Sequence, residues 1–199
     1  MSYLTFISRV NIIPERTEAG GVPPRGVTVM ELKDYILMQF ESLKRGMGRA
    51  TKDLSFEELK WRPSCGCNSI GLLLFHLAKS EDSFIQNRLQ NKPEIWTSEK
   101  WYEKLGMPET EAGAHYTIDQ VNAFPVRELK DIQAYYDAVR EKTISYLKSL
   151  RPDDLDKKYE FKPFGEMTTA SIFSIIVTHT AQHTGEISYL RGLQRGMDK

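Results

Sequence analysis

TASIFSIIVTHTAQHTGEISYLRGLQR, residues 169–195, is the stretch that determines the fold class of this chain. Apolar side chains recur in it every three or four residues, which is the spacing of one face of an α-helix. The predicted inner face carries Ile172, Ile175, Ile176, Ile187, Leu190 and Leu193. His179 and His183 fall on this face, about 40° apart and one turn along the helix. The pattern predicts a long helix over about 168–196 that turns two imidazoles towards the core.

A second stretch, residues 68–89, has the sequence NSIGLLLFHLAKSEDSFIQNRL. Asn68 or Ser69 can cap a helix at its N-terminus, and the helical pattern ends at Pro93. His76 lies in the middle of this helix with apolar residues on both sides, so we expect its imidazole to face other helices. This helix is therefore the predicted source of a third inward-facing histidine.

Two further apolar stripes complete the predicted bundle. The first helix begins near Thr28, and its stripe consists of Leu32, Ile36, Phe40, Leu43 and Met47. The third helix has Pro125 in its first turn and ends before Pro152. Ser55 is predicted to cap a short helical turn between helices one and two. Four amphipathic helices predict an all-α fold, namely a four-helix bundle.

Two parts of the chain do not follow the helical pattern. Proline and glycine are dense near the start, so we predict an N-terminal arm over residues 1–27, followed by the bundle over residues 28–199. Residues 93–124 are irregular and contain Trp96 and Trp101. We predict that they form an insert between helices two and three that folds over one end of the bundle. The two tryptophans either fill the core of this insert or cover an apolar substrate pocket.

His76, His179 and His183 are the candidate ligands of a divalent metal ion. Imidazole nitrogens bind Zn²⁺, Ni²⁺ or Fe²⁺, and three of them leave coordination positions for water or substrate. The alternative is a purely structural role, because a lone histidine on an apolar face is usually a satisfied core residue. Glu81 and Glu186 are candidates to orient the ligands, since a metal-bound histidine normally donates its second N–H to a carboxylate or carbonyl.

The composition disfavours several classes of protein. Lys plus Arg (27) equals Asp plus Glu (27), so no net field attracts nucleic acid. No apolar run approaches the ~20 residues of a membrane-spanning helix. Cys65 and Cys67 are expected to be ordinary loop thiols suited to a reducing cytoplasm, with redox activity or metal ligation as the alternative. His115 is expected at the surface, with a role as acid or base as the alternative.

The two histidine-bearing segments resemble the DinB-like superfamily of metal-dependent four-helix bundles. The matching positions are Ser69, Ile70, His76 and Glu81 in the first segment, His179, His183, Gly185 and Ile187 in the second, and Trp61–Pro63 before them. The resemblance covers roughly residues 28–195 and leaves the N-terminal arm unexplained. It implies a three-histidine metal site and frequent dimers, so a homodimer is expected.

For function, the resemblance implies a divalent-metal-binding protein. Some relatives are thiol transferases that use a low-molecular-weight thiol, others are isomerases or hydrolases, and fold does not decide between them. A metal-dependent transferase or hydrolase acting on a small molecule in the cytoplasm is therefore one expectation. A non-catalytic, stress-related binding module with a structural site is the other. Open coordination positions beside a pocket favour the enzyme, whereas a fourth protein ligand favours the structural site.

Overall fold

A computed structural model describes residues 30–161 and 165–196 of the chain. The predicted N-terminal arm, residues 1–27, lies outside the described residues. Four long helices in the described part form the bundle: α1 (Leu32–Ala50), α3 (Ile70–Asp82), α7 (Leu129–Ser149) and α8 (Thr169–Arg195). A stretch of π-helix, Ser83–Leu89, continues α3. These helices confirm the predicted all-α bundle.

Shorter elements connect the long helices. The short helices are α2 (Phe56–Lys60), α4 (Ile95–Ser98), α5 (Trp101–Leu105) and α6 (Ile118–Ala123). The last three belong to the insert between α3 and α7. A 3₁₀ turn over Pro152–Asp156 precedes an antiparallel pair of strands, β1 (Lys158–Phe161) and β2 (Gly165–Thr168), paired from Lys158 with Thr168 to Phe161 with Gly165. This hairpin lies between the helices α7 and α8, and the sequence pattern did not predict it.

Side-chain caps set the starts of the two histidine-bearing helices. The Ser69 hydroxyl accepts a hydrogen bond from the N–H of Leu72 at 3.2 Å, which identifies Ser69 rather than Asn68 as the cap of α3. The Thr168 hydroxyl accepts from the N–H of Ser171 at 3.1 Å and begins α8 where the sequence predicted. Both helices are therefore fixed in register by local interactions.

The predicted start of α7 at Pro125 is wrong. The helix begins four residues later, at Leu129, after extended backbone at Glu128. The reason is tertiary packing: Val126 is buried against Gly71 of α3, where any side chain on the glycine would meet it. The chain must therefore pass α3 before it can turn into a helix.

Two clusters of buried apolar side chains fill the interior of the bundle. α3 packs against α7 and α8, and α1 packs against α8 and α7. Leu32 and Leu193, which the sequence predicted on inner faces, are half exposed, because each lies at an end of its helix beyond the packed region. Trp96 of the insert is buried and its ring lies 5.4 Å, between centroids, from both Phe75 and Tyr135. The insert is thus packed on α3 and α7 through an aromatic anchor.

Candidate metal centre

Three imidazoles from two helices meet at one point of the bundle. His76 of α3 and His183 of α8 each place their Nε2 atom 3.0 Å from Nε2 of His179. The ring centroids lie 4.5 to 5.0 Å apart. The structure therefore brings together the three histidines that the sequence selected, although they are up to 107 residues apart in the chain.

Two of these rings are held by acceptors at their other nitrogen. Nδ1 of His76 lies 2.7 Å from the carbonyl oxygen of Gly113, and Nδ1 of His183 lies 2.7 Å from a carboxylate oxygen of Glu186. Because a carbonyl or carboxylate oxygen accepts and does not donate, each neutral ring carries its proton on Nδ1. Both rings consequently turn an unprotonated Nε2 towards the cluster.

This donor set fits a divalent cation. Nε2 of His179 can donate at most one proton, so hydrogen bonding between the rings can satisfy only one of the two Nε2 lone pairs that face it. A shared cation can satisfy all three. Nitrogens bonded to one ion at about 2.0–2.1 Å lie roughly 3 Å apart. The two Nε2 pairs that include His179 have this separation, 3.0 Å each.

Burial favours the neutral imidazoles that metal binding requires. Burial lowers the pKa of His76 below its usual value. The hydrogen bond to the carbonyl of Gly113 raises the pKa, but by less than burial lowers it. The pKa of His179 falls to about 4, first through burial and then through the charges of His183 and His76. Because protons compete with a metal ion for the same nitrogens, both rings are available as ligands at neutral pH.

The carbonyl that holds His76 belongs to a residue that must be glycine. Gly113 has φ +73°, in the left-handed region, and a Cβ there would lie 2.4 Å from Cβ of Lys79. Gly113 has no signal in the sequence pattern, and the residue predicted to be of interest in the same loop was His115. His115 is exposed, as predicted.

Two buried contacts of α3 hold the insert in position. The carboxylate of Asp82 accepts the first two backbone N–H groups of α4, both at 3.0 Å, and burial raises its pKa to about 6. One turn earlier, the ammonium of Lys79 donates to Glu94 at 2.6 Å, and the Lys79 side chain is 6% exposed. α3 therefore carries both His76 and the residues that anchor the segment which orients it.

The prediction that Glu81 orients a ligand is wrong. Glu81 is buried and accepts a hydrogen bond from Nη2 of Arg140 on α7 at 2.6 Å. The physical reason is its position on α3, five residues after His76 and so about 140° around the helix. The hydroxyl of Tyr136 also accepts from Arg140, at 2.7 Å. The second candidate, Glu186, does contact its histidine.

The cluster is partly open to solvent. Within residues 30–161 and 165–196, the group of potential metal-binding side chains at this point consists of the three histidines alone. Each is partly exposed to solvent. No carboxylate or thiol of the described chain completes the set, so water or a small molecule can approach the three Nε2 atoms.

The fold and the cluster together define a helical bundle with a three-histidine site. The chain belongs to the DinB superfamily, whose family model matches residues 39–187. A relative from Bacillus mycoides, named "Putative metal-dependent hydrolase", is 24% identical over 172 residues, which cover 83% of this chain and 89% of that protein.

A solved structure supports the fold. The crystal structure of a conserved protein from Enterococcus faecalis matches 85% of this chain and 100% of its own with a TM-score of 0.74. At 22% identity, this likeness concerns the fold alone. Separately, none of the helices in the described ranges is both long and apolar enough to span a membrane.

Proposed function

We propose that this protein is a metal-dependent hydrolase in which His76, His179 and His183 hold one divalent ion. The observation that carries the proposal is the convergence of three Nε2 atoms, two of them in rings whose Nδ1 proton is held by an oxygen acceptor. The name of the Bacillus mycoides relative supports the same class of activity. Three imidazoles suit Zn²⁺, Ni²⁺ or Fe²⁺.

An ion bound there would supply a nucleophile at neutral pH by lowering the pKa of a water molecule or a thiol. The residues of the chain orient the ligands and leave them accessible. Gly113 and Glu186 keep two rings in the orientation and tautomer in which Nε2 is free to bind. The partial exposure of the three rings allows a small molecule to reach them. We accordingly propose a small-molecule substrate.

Water and a low-molecular-weight thiol are alternative nucleophiles for such a site. We favour water for two reasons. The name of the relative gives hydrolysis as its activity, and a water molecule could bind an ion held by the three histidines without any further protein group. A cytoplasmic location and a homodimer remain predictions.

The test is a screen of tag-free protein loaded separately with Zn²⁺, Ni²⁺ or Fe²⁺ against ester, amide and lactone substrates, each with and without a small thiol. We expect thiol-independent hydrolysis that disappears in His179→Ala and persists in His115→Ala, a control that removes an exposed histidine. Products that contain the thiol would show that the protein is a thiol transferase and not a hydrolase. A loaded protein without turnover would contradict catalysis and favour a structural site.

A further inference from the structure

The two cysteines lie in one tight turn outside the histidine site. The N–H of Cys67 donates to the carbonyl of Ser64 at 3.2 Å, and Gly66 has φ +77°, the conformation required at the third position of a type II turn. Cys65 is exposed and Cys67 is partly exposed, and both are free thiols. We call Ser64–Cys67 the dithiol turn.

The turn places the two cysteines within reach of each other. Residues two apart are separated by at most about 7 Å even in extended chain, and the turn shortens this distance. Disulfides join Cα atoms that are about 4.4–6.8 Å apart. A bond between Cys65 and Cys67 closes so short a loop that it stabilises the protein little, and such strained, exposed bonds are readily reduced. The geometry therefore suits a reversible bond rather than a permanent cross-link.

Each sulfur has a polar neighbour that can stabilise a thiolate. Nδ2 of Asn122 on α6 donates to Sγ of Cys65 at 3.1 Å, and the hydroxyl of Ser64 lies 3.0 Å from Sγ of Cys67. Oδ1 of Asn122 also accepts from the N–H of Gly66 at 3.0 Å. One asparagine thus holds the turn in shape and directs an N–H group at the more exposed thiol.

We propose that Cys65 and Cys67 form a redox-active dithiol that exchanges with small-molecule disulfides, with Cys65 as the attacking thiol and Cys67 as the resolving thiol. The thiolate of Cys65 attacks one sulfur of the small disulfide, breaks its S–S bond and releases one small thiolate. The thiolate of Cys67 then attacks the mixed disulfide and releases the second. The two protein thiols lose two electrons and two protons, and the small disulfide is reduced to two thiols.

The experiment uses reduced, metal-free, full-length protein and oxidised glutathione as the probe. After reaction, remaining thiols are trapped by alkylation and the intact mass is measured. We expect the wild type to lose two hydrogens, retain no glutathione and recover both thiols on reduction. Cys67→Ser should stop with one glutathione on Cys65. A wild type that keeps glutathione on either cysteine, or that fails to react, would overturn the proposal.

The role of Asn122 has its own test in the Cys67→Ser background. Asn122→Asp keeps the acceptor for the N–H of Gly66 but removes the donor to Cys65, and we expect glutathione addition to slow by about tenfold. Asn87→Asp adds the same charge at an exposed position after α3 and should change the rate by less than about twofold. Equal rates for these two variants would overturn the role assigned to Asn122, namely that its N–H group activates Cys65. Because the metal-free protein is used, neither result depends on the proposed hydrolase.

Discussion

Replacing Gly113 with alanine should weaken metal binding without touching a ligand. The new Cβ would lie 2.4 Å from Cβ of Lys79, an atom attached to the backbone of α3, so no side-chain rotation can relieve the contact. The loop must move instead, and with it the carbonyl that lies 2.7 Å from Nδ1 of His76. Alanine in the left-handed region costs a further ~1 kcal/mol of stability.

The size of the effect on metal binding follows from the lost orienting contact. Removing an outer partner of a metal-bound histidine typically lowers metal affinity 10- to 100-fold, which corresponds to about 1.4–2.7 kcal/mol. We therefore expect the dissociation constant for Zn²⁺, measured by competition with a chromophoric chelator, to rise by about this factor. Urea unfolding of the metal-free protein should also show a loss of ~1 kcal/mol or more.

Gly106→Ala is the matched control for this prediction. Gly106 lies in the same insert with φ +57°, but the nearest atom to its new Cβ, Nη2 of Arg127, would be 3.9 Å away. Gly106→Ala should lower the free energy of unfolding, because alanine is disfavoured in the left-handed region, and should leave the zinc affinity unchanged. A folded Gly113→Ala protein that binds zinc as tightly as Gly106→Ala would refute the role assigned to the Gly113 carbonyl.

Three further predictions concern charged and titratable side chains. Glu186→Ala removes the acceptor for Nδ1–H of His183 and should weaken zinc binding about tenfold in the same competition assay, whereas Glu166→Ala, in the β-hairpin, should not. Arg140→Met leaves the buried Glu81 carboxylate without its cationic partner and should lower the free energy of unfolding in urea by about 3–5 kcal/mol. Adding Glu81→Met should recover most of that loss. Equal stability of the single and double variants would contradict this prediction. For the metal-free protein, the lowered pKa of His179 means that the unfolded state binds more protons between pH 6.5 and about 4, so this residue makes stability fall as the pH is lowered through that window. In His179→Gln the fall measured by urea unfolding should be smaller, and an unchanged pH dependence would show that His179 does not contribute.

The helices that carry the histidines were predictable because their signals are local. The i, i+4 spacing of His179 and His183 on an apolar stripe, with Thr168 as cap, fixes both the helix and the face that the rings occupy. Glu186 was predictable for the same reason, since it lies three residues after His183 on the same helix.

The partner of His76 could not be predicted in this way. Gly113 is 37 residues away in an irregular insert, and it acts through a backbone carbonyl, which has no signature in residue type. For Glu81, the helix was predictable but the partner of the side chain was not. Periodicity indicated that this helix is buried nearly all round, but it could not show that Glu81 faces Arg140 of α7 rather than the histidines.

The most direct measurement is the metal content of protein purified without a histidine tag or chelator, with His179→Ala purified in parallel and checked for helical content by circular dichroism. We predict about one Zn, Ni or Fe ion per chain in the wild type and none in the folded variant. Equal metal content in the two proteins, or no metal in the wild type even after reconstitution, would contradict a metal centre at His76, His179 and His183.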